Sequence, residues 1–193
     1  MKSGALILCL ALTGIGALQA HAGELPYTVS VSPFLMNYSS QGAYHETVSE
    51  ITEGILVDVS YPLNARWRLF ITGASNFDQK FQFMDVGIGY SFFQEKPLSY
   101  RVEDVGEVVT FDKYRPQLLF EVGQGIAKTH ISLGPINQEV SESLFSVLTH
   151  FYFGLAYTPR LIFLPGAFFY YSGNSSVTAT GYGVTVGLQY NLF

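Results

Sequence analysis

The chain is nearly without cysteine: Cys9 is the only one in 193 residues. It sits in the apolar run Ala5–Leu18, which follows Lys2 and precedes Ala20-His21-Ala22. A positive start, an apolar stretch and an A-x-A site are the signature of an export leader, here cleaved before Gly23. Cleavage would leave 171 residues and no thiol, which excludes disulfides and thiolate chemistry from the mature chain. Cys9 is also too early to be the lipid-attachment cysteine of a lipoprotein. Charge is scarce too, at 13% of residues. Without Lys2, nine basic side chains face fifteen acids, a net charge of −6 with histidine neutral, which argues against nucleic acid as a partner. Beyond the leader, His45, His130 and His150 are scattered singly, so no metal-ligand spacing exists and no metal or cofactor is expected. Outside the leader there is also no run of about 18 apolar residues, so a membrane-spanning helix is not expected.

Aromatic side chains, by contrast, are abundant at 16% of residues, more than all charged ones together. They recur with a period of two. In Thr180–Phe193 the large residues Tyr182, Val184, Val186, Leu188, Tyr190 and Leu192 alternate with Gly183, Thr185, Gly187, Gln189 and Asn191. Such alternation describes a strand with one oily and one polar face. The same rhythm marks Tyr27–Asn37, Gly54–Tyr61, Arg66–Phe77, Gln82–Phe93, Gln117–Lys128, Val147–Tyr157 and Leu161–Ser172. Pro165-Gly166 predicts a bulge or kink in the last of these. The result is eight candidate strands in one domain, 23–193, most of them about the 9 to 11 residues that cross a bilayer at a tilt.

The connections alternate in character. Pro62–Ala65 and Thr158–Arg160 read as tight turns, Asn76–Lys80 and Ser172–Thr178 as short polar links, and Tyr38–Glu53 and Thr129–Ser146 as long polar loops. The charged segment Gln94–Arg115 breaks the scheme. It is expected to form a small hairpin or flap, although its two short apolar runs leave a ten-stranded variant open. Tyr27, Tyr61, Trp67, Phe92, Phe93, Tyr157, Tyr170 and Tyr171 lie near strand ends, where an aromatic girdle would sit at a membrane interface.

These features, with the alternating C-terminal strand ending on Phe193, resemble small bacterial outer-membrane barrels of the OmpA/OmpX/OmpW and opacity-protein type. The resemblance covers about 27–193 in overall pattern. It implies an all-β, eight-stranded, antiparallel, up-and-down transmembrane barrel in a Gram-negative outer membrane. It also implies contact with outer-membrane lipids and lipopolysaccharide, and recognition of the terminal strand by the barrel assembly machinery. Tyr190, Leu192 and Phe193 are the residues expected to carry that signal, with Phe193 one step out of the strand's apolar parity. A monomer is favoured.

If the apolar parity faces lipid, Asp58, Arg66, Arg68, Asp85, Glu121 and His150 point inward. Eight strands enclose an interior that side chains fill, and buried charges there must pair. A salt-bridged plug is therefore expected in the lumen, with a narrow channel for small or hydrophobic solutes as the alternative. The two long loops, 38–53 and 129–146, are where an extracellular ligand would bind. Tyr170-Tyr171-Ser172-Gly173 falls where outer-membrane lipid A deacylases, which this stretch resembles, carry a His-x-Ser motif. Tyr170 stands in the place of the base that would activate the serine. The expected role is non-enzymatic, structural or surface-interacting. A lipid-modifying enzyme and a soluble lipocalin-like barrel are the other readings.

Overall fold

The computed structural model of the protein describes residues 27–41, 47–78, 81–93, 99–103, 106–110, 113–133, 136–158, 160–174 and 177–192. The leader and its cleavage site, residues 23–26 and Phe193 lie outside them, as do His45 and Pro159. Ten strands are present: β1 (Tyr27–Gln41), β2 (Thr47–Pro62), β3 (Trp67–Asn76), β4 (Phe81–Ser91), β5 (Ser99–Glu103), β6 (Gly106–Thr110), β7 (Tyr114–Leu133), β8 (Ile136–Ala156), β9 (Leu161–Gly173) and β10 (Thr178–Leu192). Eight of them form one closed antiparallel barrel in the order β1-β10-β9-β8-β7-β4-β3-β2. Closure comes from β1 pairing with the C-terminal strand, Tyr27 opposite Leu192 through Gln41 opposite Thr178. Within the closed part of the barrel each strand thus has a hydrogen-bonded neighbour on both sides.

The charged segment resolves the strand count. β5 and β6 pair only with each other, Ser99 opposite Thr110 and Glu103 opposite Gly106, in a separate two-stranded sheet. Five residues per strand are too few to span a bilayer, so the barrel has eight strands and not ten. Tyr27 at the start of β1, Leu192 at the end of β10, the β2–β3 turn and the β8–β9 turn share one end of the barrel, hereafter the terminal end. At the first turn Leu63 N and Asn64 N donate to Trp67 O, and at the second Tyr157 N and Thr158 N donate to Leu161 O.

Three expectations are corrected. The polar stretches 38–53 and 129–146 are not loops for most of their length. β1 and β2 stay paired to Gln41 opposite Thr47, and β7 and β8 to Leu133 opposite Ile136. Backbone ladders do not need an apolar outward face, so pairing continues after the oily pattern ends. The pairing of β7 with β4 stops at Thr129 and that of β8 with β9 at Phe145, so the last part of this hairpin rises past its neighbours as a two-stranded ribbon. Pro165-Gly166 makes no bulge either. The register of β9 against β10 runs unbroken from Gly173 to Leu161, and only the β8 side lapses, opposite Phe153 and Gly154. The missing proline N–H falls in that lapse.

Outward residues form a continuous oily belt. Val31, Leu35, Leu69, Ile71, Val86, Ile88, Phe151, Phe153, Val184 and Leu188 are all exposed, the reverse of a soluble protein. Among the described residues no charged side chain interrupts this belt, and on β2 it is bounded by Glu53. The inward face is buried throughout and divides by height. Phe34, Met36, Tyr38, Phe81, Phe83, Leu144, Leu148, Phe168 and Tyr170 pack one apolar cluster toward the distal end. Leu119, Tyr152, Ile162 and Leu164 form a smaller one toward the terminal end, embedded in polar side chains.

The barrel interior as candidate functional site

Alternation places one inward side chain at every second position, and the eight strands bring these to a common axis. On the terminal half they are mostly polar. Asp58 accepts from the Thr72 hydroxyl at 2.7 Å. Thr28 and Ser60 hydroxyls lie 2.7 Å apart, and Arg68 Nη1 donates to Ser60 Oγ at 3.4 Å. His150 Nε2 is 3.2 Å from Glu121 Oε2, and its Nδ1 is 2.7 Å from the Tyr152 hydroxyl. A neutral imidazole protonated at Nε2 satisfies both contacts, donating to the carboxylate and accepting from the phenol. Nearer the mouth Gln117 Nε2 donates to Gln189 Oε1 at 3.3 Å, and Gln189 Nε2 to Asn191 Oδ1 at 2.7 Å.

Gly89 makes this centre possible. A methyl group there would lie 3.1 Å from both Arg68 Cγ and Glu121 Cγ, so the bare backbone lets the guanidinium and the carboxylate stems lie against the wall. The side chains of Asp58, Arg68, Glu121, His150, Tyr152, Gln117 and Gln189 surround a cavity of about 10 Å³, the scale of a single water.

Five of the six predicted lumen residues face inward. Asp58, Arg68, Glu121 and His150 meet around the cavity. Asp85 is buried higher up, where its Oδ2 meets no hydrogen-bond partner among the described residues. Arg66 is the exception and is corrected: it belongs to the β2–β3 turn and is exposed, with Nη1 donating to the Tyr90 hydroxyl at 2.8 Å. The turn ends one residue later than Pro62–Ala65 suggests, because Asn64 Oδ1 accepts from the N–H groups of both Arg66 and Trp67. The strand parity that aims Arg68 inward does not reach back through a turn.

Tyr170 is corrected in the other sense. It is not an interfacial girdle residue but is fully buried, stacked on Phe83 with ring centroids 4.5 Å apart and planes 14° from parallel. Tyr171 faces outward, as the alternation requires. Ser172 points inward and is fully buried beside Ser146 of the neighbouring strand, its hydroxyl without a partner among the described residues, while His150 is committed to Glu121 and Tyr152. Sequence reasoning missed the apolar distal plug. Its signal was present in Phe34-Leu35-Met36 and in Phe83-Met84, where both parities are oily.

The terminal-strand residues are placed in part. Tyr190 faces outward opposite Val29 and Leu161, and Leu192 is half-buried opposite Tyr27. Around the same rim Tyr27 and Tyr61 rings lie 4.7 Å apart, Trp67 and Tyr90 4.9 Å, and Tyr90 and Phe92 5.2 Å.

Solved structures share this architecture. The N-terminal β-barrel domain of OprF from Pseudomonas aeruginosa is 10% identical with a TM-score of 0.50, over 86% of this chain and 100% of that one. Neisserial surface protein A is 13% identical with a TM-score of 0.49, over 86% and 97%. The attachment invasion locus protein of Yersinia pestis, solved with the heparin analogue sucrose octasulfate, is 15% identical with a TM-score of 0.46, over 86% and 100%. No protein-family model and no curated protein matches the chain. The chain is an eight-stranded antiparallel closed barrel, and the likeness to the OprF domain, at so low an identity, carries the fold alone.

Proposed function

We propose that this protein is a plugged, non-enzymatic barrel of the bacterial outer membrane that works through its distal, extracellular surface. The observation that carries the reading is the β7–β8 ribbon. Residues 136–144 of β8 continue past the end of β9, and on that side they have no neighbour among the described residues. Nine residues of strand measure about 30 Å, more than a bilayer crossing needs beyond the paired part. An unpaired edge of that length is the kind of surface that adds a strand from a partner.

Two further features support the reading. The lumen holds a hydrogen-bonded polar layer around a cavity with room for about one water, under a packed apolar layer, which favours a plug over a pore. Ser172, the only serine near the deacylase-like stretch with the right spacing, is buried inside the barrel, where an acyl chain in the membrane does not reach it. The oily belt and terminal aromatic rim support residence in the membrane, with the short turns in the periplasm.

The test replaces residues 127–142 by a short turn. Heat-modifiable gel migration should persist, because all eight strands stay paired and the β4–β7 seam gives up only its last three residue pairs, while attachment of expressing cells to surfaces or to other cells should be lost. Attachment that survives the replacement would sink the surface reading. Steady single-channel steps from the intact protein in a planar bilayer would replace the plug with a pore.

A further inference from the structure

Arg66 has no part in the lumen, and its setting at the rim is unusually constrained for an exposed arginine. Its backbone is held at both ends: N–H donates to Asn64 Oδ1 at 2.9 Å and the carbonyl accepts from Ser91 N at 2.7 Å. Its side chain is held as well, with Nη1 on the Tyr90 hydroxyl at 2.8 Å and Cζ 5.9 Å from the Tyr90 ring centroid. A guanidinium carries five N–H donors, so most of the fork stays open to solvent. Leu63 and Trp67 in and beside the same turn, and Phe92 and Phe93 just past the Ser91 that bonds its carbonyl, are exposed apolar side chains at the terminal end of the oily belt.

The charge distribution adds a direction. Arg66, Lys113 and Arg160 are exposed at the terminal end of the barrel, and no exposed acid of the described barrel residues accompanies them there. The distal end carries Glu53 and Asp78 exposed instead. Among the described residues, Arg66 is thus a cation beside aromatic side chains at the terminal end of the oily belt.

We propose that Arg66, held by Tyr90 and Asn64 beside Trp67, is a binding site for the phosphate of an anionic phospholipid headgroup in the leaflet at the terminal end. The assignment rests on the membrane reading above. A planar guanidinium donates two parallel hydrogen bonds to a phosphate, and its pre-set orientation reduces the ordering that binding requires. The neighbouring rings seat the first acyl carbons while the headgroup meets the cation, the division of labour expected at a membrane interface.

The chain carries its own reporter, since Trp67 is its only tryptophan. The protein is refolded into vesicles mixing ordinary lipid with either phosphatidylglycerol or phosphatidylcholine brominated near the top of the acyl chains, and Trp67 quenching is titrated. Phosphatidylglycerol should compete for the site about fivefold better than phosphatidylcholine, the effect of roughly one lysine or arginine at a surface. Arg66→Gln should abolish the preference and Tyr90→Phe should reduce it, whereas Arg160→Gln, at another turn, should leave it unchanged. Excess inorganic phosphate should not displace the lipid, because the apolar contacts belong to the acyl chains. Equal quenching by the two lipids in the wild type, or a preference that persists in Arg66→Gln, overturns the site. Absence of quenching by either lipid overturns the membrane reading itself, so the two failures are distinct.

Discussion

His150 Nε2 lies 3.2 Å from Glu121 Oε2 with both side chains almost completely buried, at the centre of a barrel whose outside is oily. The pair is flanked by Arg68 and Asp58, so four ionisable groups from β2, β3, β7 and β8 share one water-poor space. Removing one member leaves the others without compensation. Glu121→Ala should cost about 3–5 kcal/mol in urea unfolding from vesicles, the usual penalty for breaking a buried pair. The double substitution Glu121→Ala with His150→Ala should cost less than the sum of the singles. Additive effects would mean that the two residues act separately.

Gly89 and Gly87 lie on the same strand but answer differently to a methyl group. At Gly89 the obstacles are the side-chain carbons Arg68 Cγ and Glu121 Cγ, each 3.1 Å away, which can shift by a few tenths of an ångström. At Gly87 the obstacles are the backbone of Val122 and Gly123, with Gly123 Cα at 2.6 Å, and a strand backbone in a closed ladder does not yield. Gly89→Ala should therefore destabilise by about 1 kcal/mol and Gly87→Ala by about 3, the range of overpacked cores. Unfolding midpoints in the reverse order would show that the polar layer is less tightly built than the strand contact.

Much of this was legible in the sequence. Strict alternation identified all eight barrel strands and the side most of their residues face, because a closed, one-side-oily sheet forces period two. Asp58, Arg68, Asp85, Glu121 and His150 followed from parity alone. What alternation does not register is where a ladder stops. The β7–β8 ribbon runs through polar residues whose pairing depends on backbone hydrogen bonds, so the stretch read as a loop. Turn geometry was also invisible to parity: Asn64 caps both Arg66 and Trp67, and that single side chain moves Arg66 from the lumen to the rim. Tyr170 and Tyr171 are adjacent aromatics, and composition alone assigned both to the girdle although adjacent strand residues must face opposite sides.

The outward face gives a test that separates a membrane barrel from a soluble one. Val86 is 59% exposed in the middle of β4, between Ile71 and Gln124 on the flanking strands. In water Val86→Arg would be nearly silent. In a bilayer it should cost about 2–4 kcal/mol if Val86 lies near the midplane. Folding into vesicles measured against folding in detergent reads the difference. Equal stability of wild type and variant in vesicles would place this face in water.

The terminal strand offers the last test. Tyr190 is exposed on the oily face and pairs with both Val29 and Leu161, and Leu192 pairs with Tyr27 at the seam where the barrel closes. Both therefore contribute to closure as well as to the outward pattern an assembly receptor reads. In the sequence Phe193 follows one step beyond the alternating residues. Deleting Phe193 alone should leave most of the protein in the outer membrane, whereas Tyr190→Ser with Leu192→Ser should leave it largely degraded in the periplasm. The readout is the heat-modifiable fraction of membrane extracts. Equal losses from the two changes would mean that the chain end is recognised by its final aromatic and not by the parity of the strand.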